Sequence, residues 1–475
     1  VSKTIVEQLA DFTTQVDYSR LPERAVVESK RILLDSMGCA LGAVDQHKGR
    51  IGIEYGRLTG GSNGDATIIG TADRVSIFGA AFANGELINA LDFDAVLPPG
   101  HVTPYVLPQI MAVSESRSRS GRDVIAAIAL AHEMSFRFYK AMDYLRDVKD
   151  GKMNLANVLG YSNTIFGATA AVGRLGDYSP AVLANALAIA ASTSPVNSQR
   201  SWTAHAPTAT IKYSLAGALT QASLTAAYMA ELGHRGDLPV LDDAEYGYRR
   251  FIGTQRWEPD RILEDLGENW LFPAEQTFKP YPHCRILHGP LHALTEIVER
   301  NDLKADEIDA IRCWGEAAVL HPLWLSNAIE HTHDAQFSIA HGLAVGAHHV
   351  LPSKRWHDPE LVFSDSVMRL MDRVTFQPHP DYFAELAAHP SARPARVEVD
   401  ARGTTFAAER RFPKGSPSPD PTTRMTDDEL IAKFRVNAEG VLSEARMDSV
   451  VEAVFELDEV DDFGVVMRQL GTDTN

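Results

Sequence analysis

Asp92, Asp94 and His101 fall within ten residues in NGELINALDFDAVLPPGHVTPYVLP, the stretch from Asn84 to Pro108. Two carboxylates and an imidazole this close can work as an acid–base set. His101 is the natural general acid or base, because an unperturbed imidazole titrates near neutrality. Asp92 can orient that ring or hold a substrate hydroxyl. The alternative is an Asp pair that merely ends a helix, followed by a solvated loop histidine. Two groups of cations lie further along. Lys212 sits in TATIKYSLAGAL, opening a run of small residues, although a helix start prefers acids. Lys279, Arg285 and His288 sit in FKPYPHCRILHGPLHAL, 278–294, where cations beside a helix N-terminus suit a carboxylate ligand. A rigid Pro-rich domain junction with solvated charges reads as well there.

These residues need elements to position them. Leu87, Ile88 and Leu91 form an apolar stripe that predicts a helix ending near Asp92 and Asp94. Pro98, Pro99 and Gly100 predict a loop carrying His101, with Pro104 keeping its exit extended. Ile5, Val6, Leu9, Phe12 and Val16 are spaced as a first helix, and Pro22 opens a second towards Gly42. Gly60, Gly61 and Gly64 turn the chain before a short apolar run at 67–69. They are not a phosphate loop, since no Lys-Ser/Thr follows. DVIAAIALAHEM after Arg122 reads as a buried helix, and Ser179-Pro180 caps another. Small residues over 213–232 predict a central helix stopping at Gly233.

After Pro273 the texture changes. Ile308–Trp314 reads as a strand, and Arg396–Val399 with Thr405–Arg411 as a hairpin turning at Arg402-Gly403, with helices interspersed at 286–299 and 335–349. GSPSPDPTT, 415–423, is a linker, and Thr426 with Glu429 makes a capping box for a helix towards Leu442. The expected architecture is mainly α with an α+β insertion. A large helical domain begins at 1–273, an α+β lid occupies 274–412, and helices at 413–475 return to the first part.

A chain of 475 residues predicts several domains or one large helical domain with an insertion. Its net charge of −18 argues against nucleic acid or an anionic membrane as partner, but not against a small anion met by local cations. Cys39, Cys284 and Cys313 are odd in number and have no CxxC, which suits neither a disulfide framework nor a zinc site. VSKTIVEQLADF reads as an amphipathic helix start and not as a signal peptide, and no apolar run approaches the ~20 residues a bilayer needs. These features together predict a cytoplasmic location. His321, His331, His333, His341, His348 and His349 invite a test for metal. His331-Thr332-His333 follows no strand, however, and no Glu joins His341 and His348 in an HExxH arrangement, so no metal site is expected.

Asn84, Ala90-Leu91-Asp92-Phe93-Asp94, the following His101 and the VLP exit resemble the MmgE/PrpD family. KPYPHCR with His288, and Lys212 ahead of its small-residue helix, are similar to that family too, so the resemblance covers nearly the whole chain. The family holds 2-methylcitrate dehydratase, cis-aconitate decarboxylase and iminodisuccinate epimerase. The resemblance implies a helical domain interrupted by an α+β lid, a homodimer, no cofactor and a small di- or tricarboxylate substrate. It implies a dehydratase first, with decarboxylase and isomerase or epimerase as alternatives. Asp92, His101, Lys212 and Lys279 would be catalytic. His101, aided by Asp92, would move the proton alpha to a carboxylate, while Lys212, Lys279 and Arg285 bind carboxylates and hold enediolate charge. Asp94, His288 and a lid residue near His321 would contact substrate. One departure stands out, for MNLANVLG places Asn154 where the family has a histidine, and an amide moves no proton near pH 7. His205, in SQRSWTAHAPT, is the candidate replacement. Readings from other classes are a metal-dependent hydrolase and a binding protein that has lost catalysis.

Overall fold

The computed structural model describes residues 2–98, 100–142, 147–149, 152–154, 158, 161–196, 198–212 and 214–472, with 147–149, 152–154 and 251 described by backbone alone. Most of the chain is helical, and one four-stranded mixed sheet lies in an α+β region after residue 273.

Helix Ile77–Ala90 is the centre of the helical part. Nearly all of it is buried, between helices His47–Gly60, Thr103–Ser116 and Ala216–Glu231. The His47–Gly60 helix has no apolar stripe to announce it in sequence. Its inner face is instead a row of glycines that lets the two backbones close up. A Cβ on Gly52 would lie 2.6 Å from Glu86 Cβ, and one on Gly56 would lie 2.7 Å from the Gly79 carbonyl oxygen. Helix Gly121–Ala141 is capped by Ser120 and helix Pro180–Thr193 by Ser179, each hydroxyl accepting a backbone N–H of the first turn. Pro104 does not keep the exit from the Asp92 stretch extended. It lies in the first turn of helix Thr103–Ser116, where its missing N–H costs no intrahelical bond.

In the α+β region, strands Ile308–Gly315, Val374–Pro378, Ala395–Ala401 and Thr404–Arg410 make the sheet. Ile308–Gly315 pairs in parallel with Val374–Pro378 and antiparallel with Ala395–Ala401, which turns back into Thr404–Arg410. Val374–Pro378 is an edge strand with little buried surface, and so lacks the alternation that marks the others. Helix Ile339–Gly346 is shorter than the 335–349 expected, because residues Thr332–Gln336 form a separate 3-10 turn.

Helix Asp427–Ala438 starts at the Thr426–Glu429 capping box and lies along helix Glu23–Gly42. A Cβ on Gly38 would come within 3.0 Å of Phe434 Cα. Beyond it, Val460 accepts from Gly121 N at 2.7 Å and Leu470 from Gly70 N at 2.8 Å, so the last residues also touch the helical part. Among the described residues no helix is long and apolar enough to cross a membrane.

Candidate active site

The Ile77–Ala90 helix ends one residue before Leu91, and Asp92 then takes a left-handed backbone with φ +52°. Side chains other than Gly, Asn and Asp seldom adopt it, and it turns the chain sharply. His101 is not in an open loop. Val96–Leu97 and Gly100–His101 pair as a miniature hairpin that folds His101 back over the turn. Gly100 is required there, since a Cβ would stand 2.6 Å from the Tyr161 hydroxyl. Val96 also exchanges backbone hydrogen bonds with Thr277, both at 2.9 Å, which brings the segment carrying Lys279 alongside.

Five of the residues singled out by sequence converge. Asp92 Oδ1 lies 3.0 Å from Lys212 Nζ and Oδ2 lies 2.7 Å from Lys279 Nζ. Lys279 also donates to the Asp92 carbonyl at 2.7 Å, and Lys212 to the Asn89 carbonyl at 2.8 Å. Each ammonium has a third N–H that forms no hydrogen bond with the described residues. His101 Nε2 stands 3.5 Å from Asp92 Oδ1, while its Nδ1 is 2.7 Å from Asp94 Oδ2. All are buried: Asp92 is 1% exposed, His101 7%, Lys212 2% and Lys279 0%.

The geometry changes two expected roles. Asp94, not Asp92, orients the imidazole, and it is fully enclosed, with Thr103 Oγ1 donating to the same oxygen at 3.3 Å. Asp92 instead bridges the two lysines. Lys212 does not open its helix, which begins at Ala216. It sits in the preceding turn at φ +52°, so the helix dipole has no bearing on it.

Burial alone would push the Asp92 carboxyl up, but Lys212 and Lys279 together outweigh it and hold the group well below the carboxylate range. Asp94 behaves likewise, with His101 as the opposing charge. His101 is lowered because burial exceeds the pull of Asp94. Lys212 drops to about 8, first from burial, with Asp92 opposing and Lys48 adding to the fall. Asp94 as acceptor fixes the proton of a neutral His101 on Nδ1 and leaves Nε2 as the working nitrogen beside Asp92.

Of the other expected site residues, Arg285 and His288 lie on the near side of the cluster and His205 and His321 apart from it. Arg285 is half-buried and faces Tyr161, whose phenol is pushed up by burial and drawn back by that guanidinium. His288 is buried, with Nε2 on the His283 carbonyl at 3.0 Å and its ring edge-on to Tyr281, so its visible role is to brace the segment. His205 is exposed and bonds to Ser201 O, with no contact to the cluster among the described residues. His321 precedes helix Pro322–Leu325 without a capping hydrogen bond from its side chain, its ring beside Trp324. The Asn154 side chain lies outside the described residues.

Three of the histidines between 321 and 349 each bond a backbone carbonyl: His333 Nε2 with Thr208 O at 3.0 Å, His341 Nε2 with Val362 O at 2.9 Å, and His349 Nε2 with Leu303 O at 2.8 Å. Among the described residues no group of three or more His, Cys, Asp or Glu is arranged to hold a metal ion.

Sequence reasoning missed Lys48, Asn89 and Lys433. Lys48 donates to Asn89 Oδ1 at 2.7 Å, and Asn89 in turn receives Lys212 on its carbonyl. Lys433 was detectable in principle, because Leu430, Lys433, Phe434 and Asn437 share one buried helical face.

A mostly helical scaffold here encloses a carboxylate, two ammonium groups and an oriented imidazole, the groups of an acid–base enzyme. The N-terminal domain model of the MmgE/PrpD family matches residues 7–260 and its C-terminal domain model matches 281–457, running across the 415–423 linker, and the chain belongs to that family. It is 25% identical to cis-aconitate decarboxylase of Homo sapiens, over 98% of this chain and 95% of that one. Identity to cis-aconitate decarboxylase of Mus musculus is 26%, over 98% and 93%. Identity to that of Aspergillus terreus (strain NIH 2624 / FGSC A1156) is 24%, over 98% and 96%.

Proposed function

We propose that the protein is a decarboxylase acting on cis-aconitate or a closely related unsaturated tricarboxylate. The observation that carries this reading is the clamp of Lys212 and Lys279 on Asp92 with His101 Nε2 beside the same carboxylate. The third N–H of each lysine takes a substrate carboxylate. The carboxylate on the methylene arm leaves as CO2, and its bonding pair becomes a new double bond to the central carbon. The old double-bond pair moves to the carbon beside the remaining terminal carboxylate, as an enediolate held by the ammonium groups. His101 Nε2, protonated, then delivers a proton to that carbon. Burial strengthens each of these interactions.

Dehydration, the first expectation from sequence, uses the same groups with His101 as base. The curated relatives, all named as cis-aconitate decarboxylases or like them, support placing decarboxylation ahead of it. The test is incubation with cis-aconitate and, separately, 2-methylcitrate, following CO2 release and the new terminal alkene by proton NMR. CO2 release with alkene formation from cis-aconitate is the expected result. Water loss from 2-methylcitrate with no CO2 from cis-aconitate would overturn it.

A further inference from the structure

A second buried ion pair grips the Asp92 turn from behind. Lys433, on helix Asp427–Ala438, brings Nζ to 2.6 Å from Asp35 Oδ1, on helix Glu23–Gly42. The same ammonium donates to the Phe93 carbonyl at 2.7 Å and stands 3.8 Å from the centre of the Phe93 ring. Asp35 Oδ2 accepts from Ala95 N at 3.1 Å. The backbone is therefore held on both sides of Asp94, by its carbonyl before and its amide after. Asp35 is 1% exposed and Lys433 6%.

An ion pair this deep is a poor source of stability, since well-packed apolar residues of the same volume are often as stable or more so. What it provides here is direction. Asp92 sits at φ +52°, a conformation that persists only where the surroundings over-determine it. Its carboxylate must meet two lysines while Asp94, two residues on, meets His101. We propose that Asp35 and Lys433 form a positioning pair for the lyase site, fixing the 92–95 backbone so that Asp94 stays on His101 Nδ1 and Asp92 stays between Lys212 and Lys279. The inference rests on the acid–base roles given to those residues under the proposed function. The charged and titratable groups packed around His101 and the turn are Asp92, Asp94, Lys212, Lys279 and the buried Tyr105, Tyr161 and Cys39, none of which the test alters.

The test replaces the pair by apolar residues, Asp35→Leu with Lys433→Met, in the full chain. Two readouts are taken beside a urea melt. Steady-state kinetics on cis-aconitate should show kcat down about tenfold or more with KM little changed, as a 1 Å misplacement can cost about 10²-fold. The imidazole of His101 is titrated by NMR on histidine-labelled protein, with His101→Gln identifying its signal. Its pKa should fall, because a loosened Asp94 supports the cation less. Stability equal to wild type together with these changes establishes positioning, and unchanged kcat with unchanged titration overturns it. If wild-type protein turns over no acid offered, the functional reading fails, while the titration still decides the pair. Should the double variant not fold, Asp35→Asn with Lys433→Gln, which nearly keeps both volumes and leaves the net charge unchanged, carries the same two readouts.

Discussion

His101 Nδ1 and Asp94 Oδ2 stand 2.7 Å apart, and Asp94 has no exposed surface. The contact sets which ring nitrogen keeps its proton and which faces Asp92. In Asp94→Asn the amide can also present N–H to the ring, favouring the wrong tautomer, and it no longer stabilises the imidazolium. Turnover should fall by about 10²–10⁴, the usual worth of one general acid or base. Steady-state kinetics at neutral pH check this.

The pH profile distinguishes the reactions this site can run. His101 titrates below the ordinary 6.5 in the free protein. If it donates a proton, as in decarboxylation, kcat/KM falls as pH rises through that pKa. If it accepts one, as in dehydration, kcat/KM rises through it. The expected sign is a fall, read from kcat/KM between pH 5 and 8.

Lys212 adds a second limb. It must be protonated to bind a carboxylate, and its pKa lies at about 8. Activity that survives to that point should drop further as pH passes 8. Lys212→Arg, charged throughout, should remove that limb even where it lowers the rate. The same shift bears on stability. The unfolded lysine, near 10.5, binds more protons than the folded one between about pH 8 and 10.5, so this group makes the fold gain stability with pH across that window.

Asp92→Ala leaves two ammonium groups buried without their carboxylate. Breaking a buried ion pair on one side costs about 3–5 kcal/mol, so the urea midpoint should move down clearly. A melt unchanged from wild type would show that the lysines find other partners.

Gly100→Ala tests the hairpin. Its Cβ would run into the Tyr161 hydroxyl at 2.6 Å, so the strand carrying His101 must shift. A loss of about tenfold or more in kcat is expected, given that a 1 Å displacement can cost about 10²-fold. Kinetics beside a thermal melt separate this from unfolding.

Much of this arrangement can be read from residue order, and the exceptions have physical causes. Helices marked by caps, such as those after Ser179 and Thr426, declare themselves because the cap chemistry is local. The His47–Gly60 helix does not, since glycines replace its apolar stripe. Asp92 and His101 stand out by their spacing, whereas Lys212 and Lys279 stand out chiefly by motif resemblance. Their roles were harder to read: that Asp94 and not Asp92 meets the imidazole depends on the left-handed turn at Asp92 and on the hairpin, which are three-dimensional facts. Lys433 was passed over because a charge on a helix is ordinarily solvated, and only its place among Leu430, Phe434 and Asn437 says otherwise.

The partners of Asp92 are spread widely along the chain, with Lys212 120 residues later and Lys279 187 residues later. In a chain made from its N-terminus, this carboxylate therefore exists well before either cation. The helix that carries it is nearly all buried in the finished protein, yet its terminal charge meets neither lysine until the segment carrying Lys212 has been made. Through that interval the turn is better kept wet than packed. The turn at the centre of the molecule thus cannot take its final packing before the segment carrying Lys279 has been made.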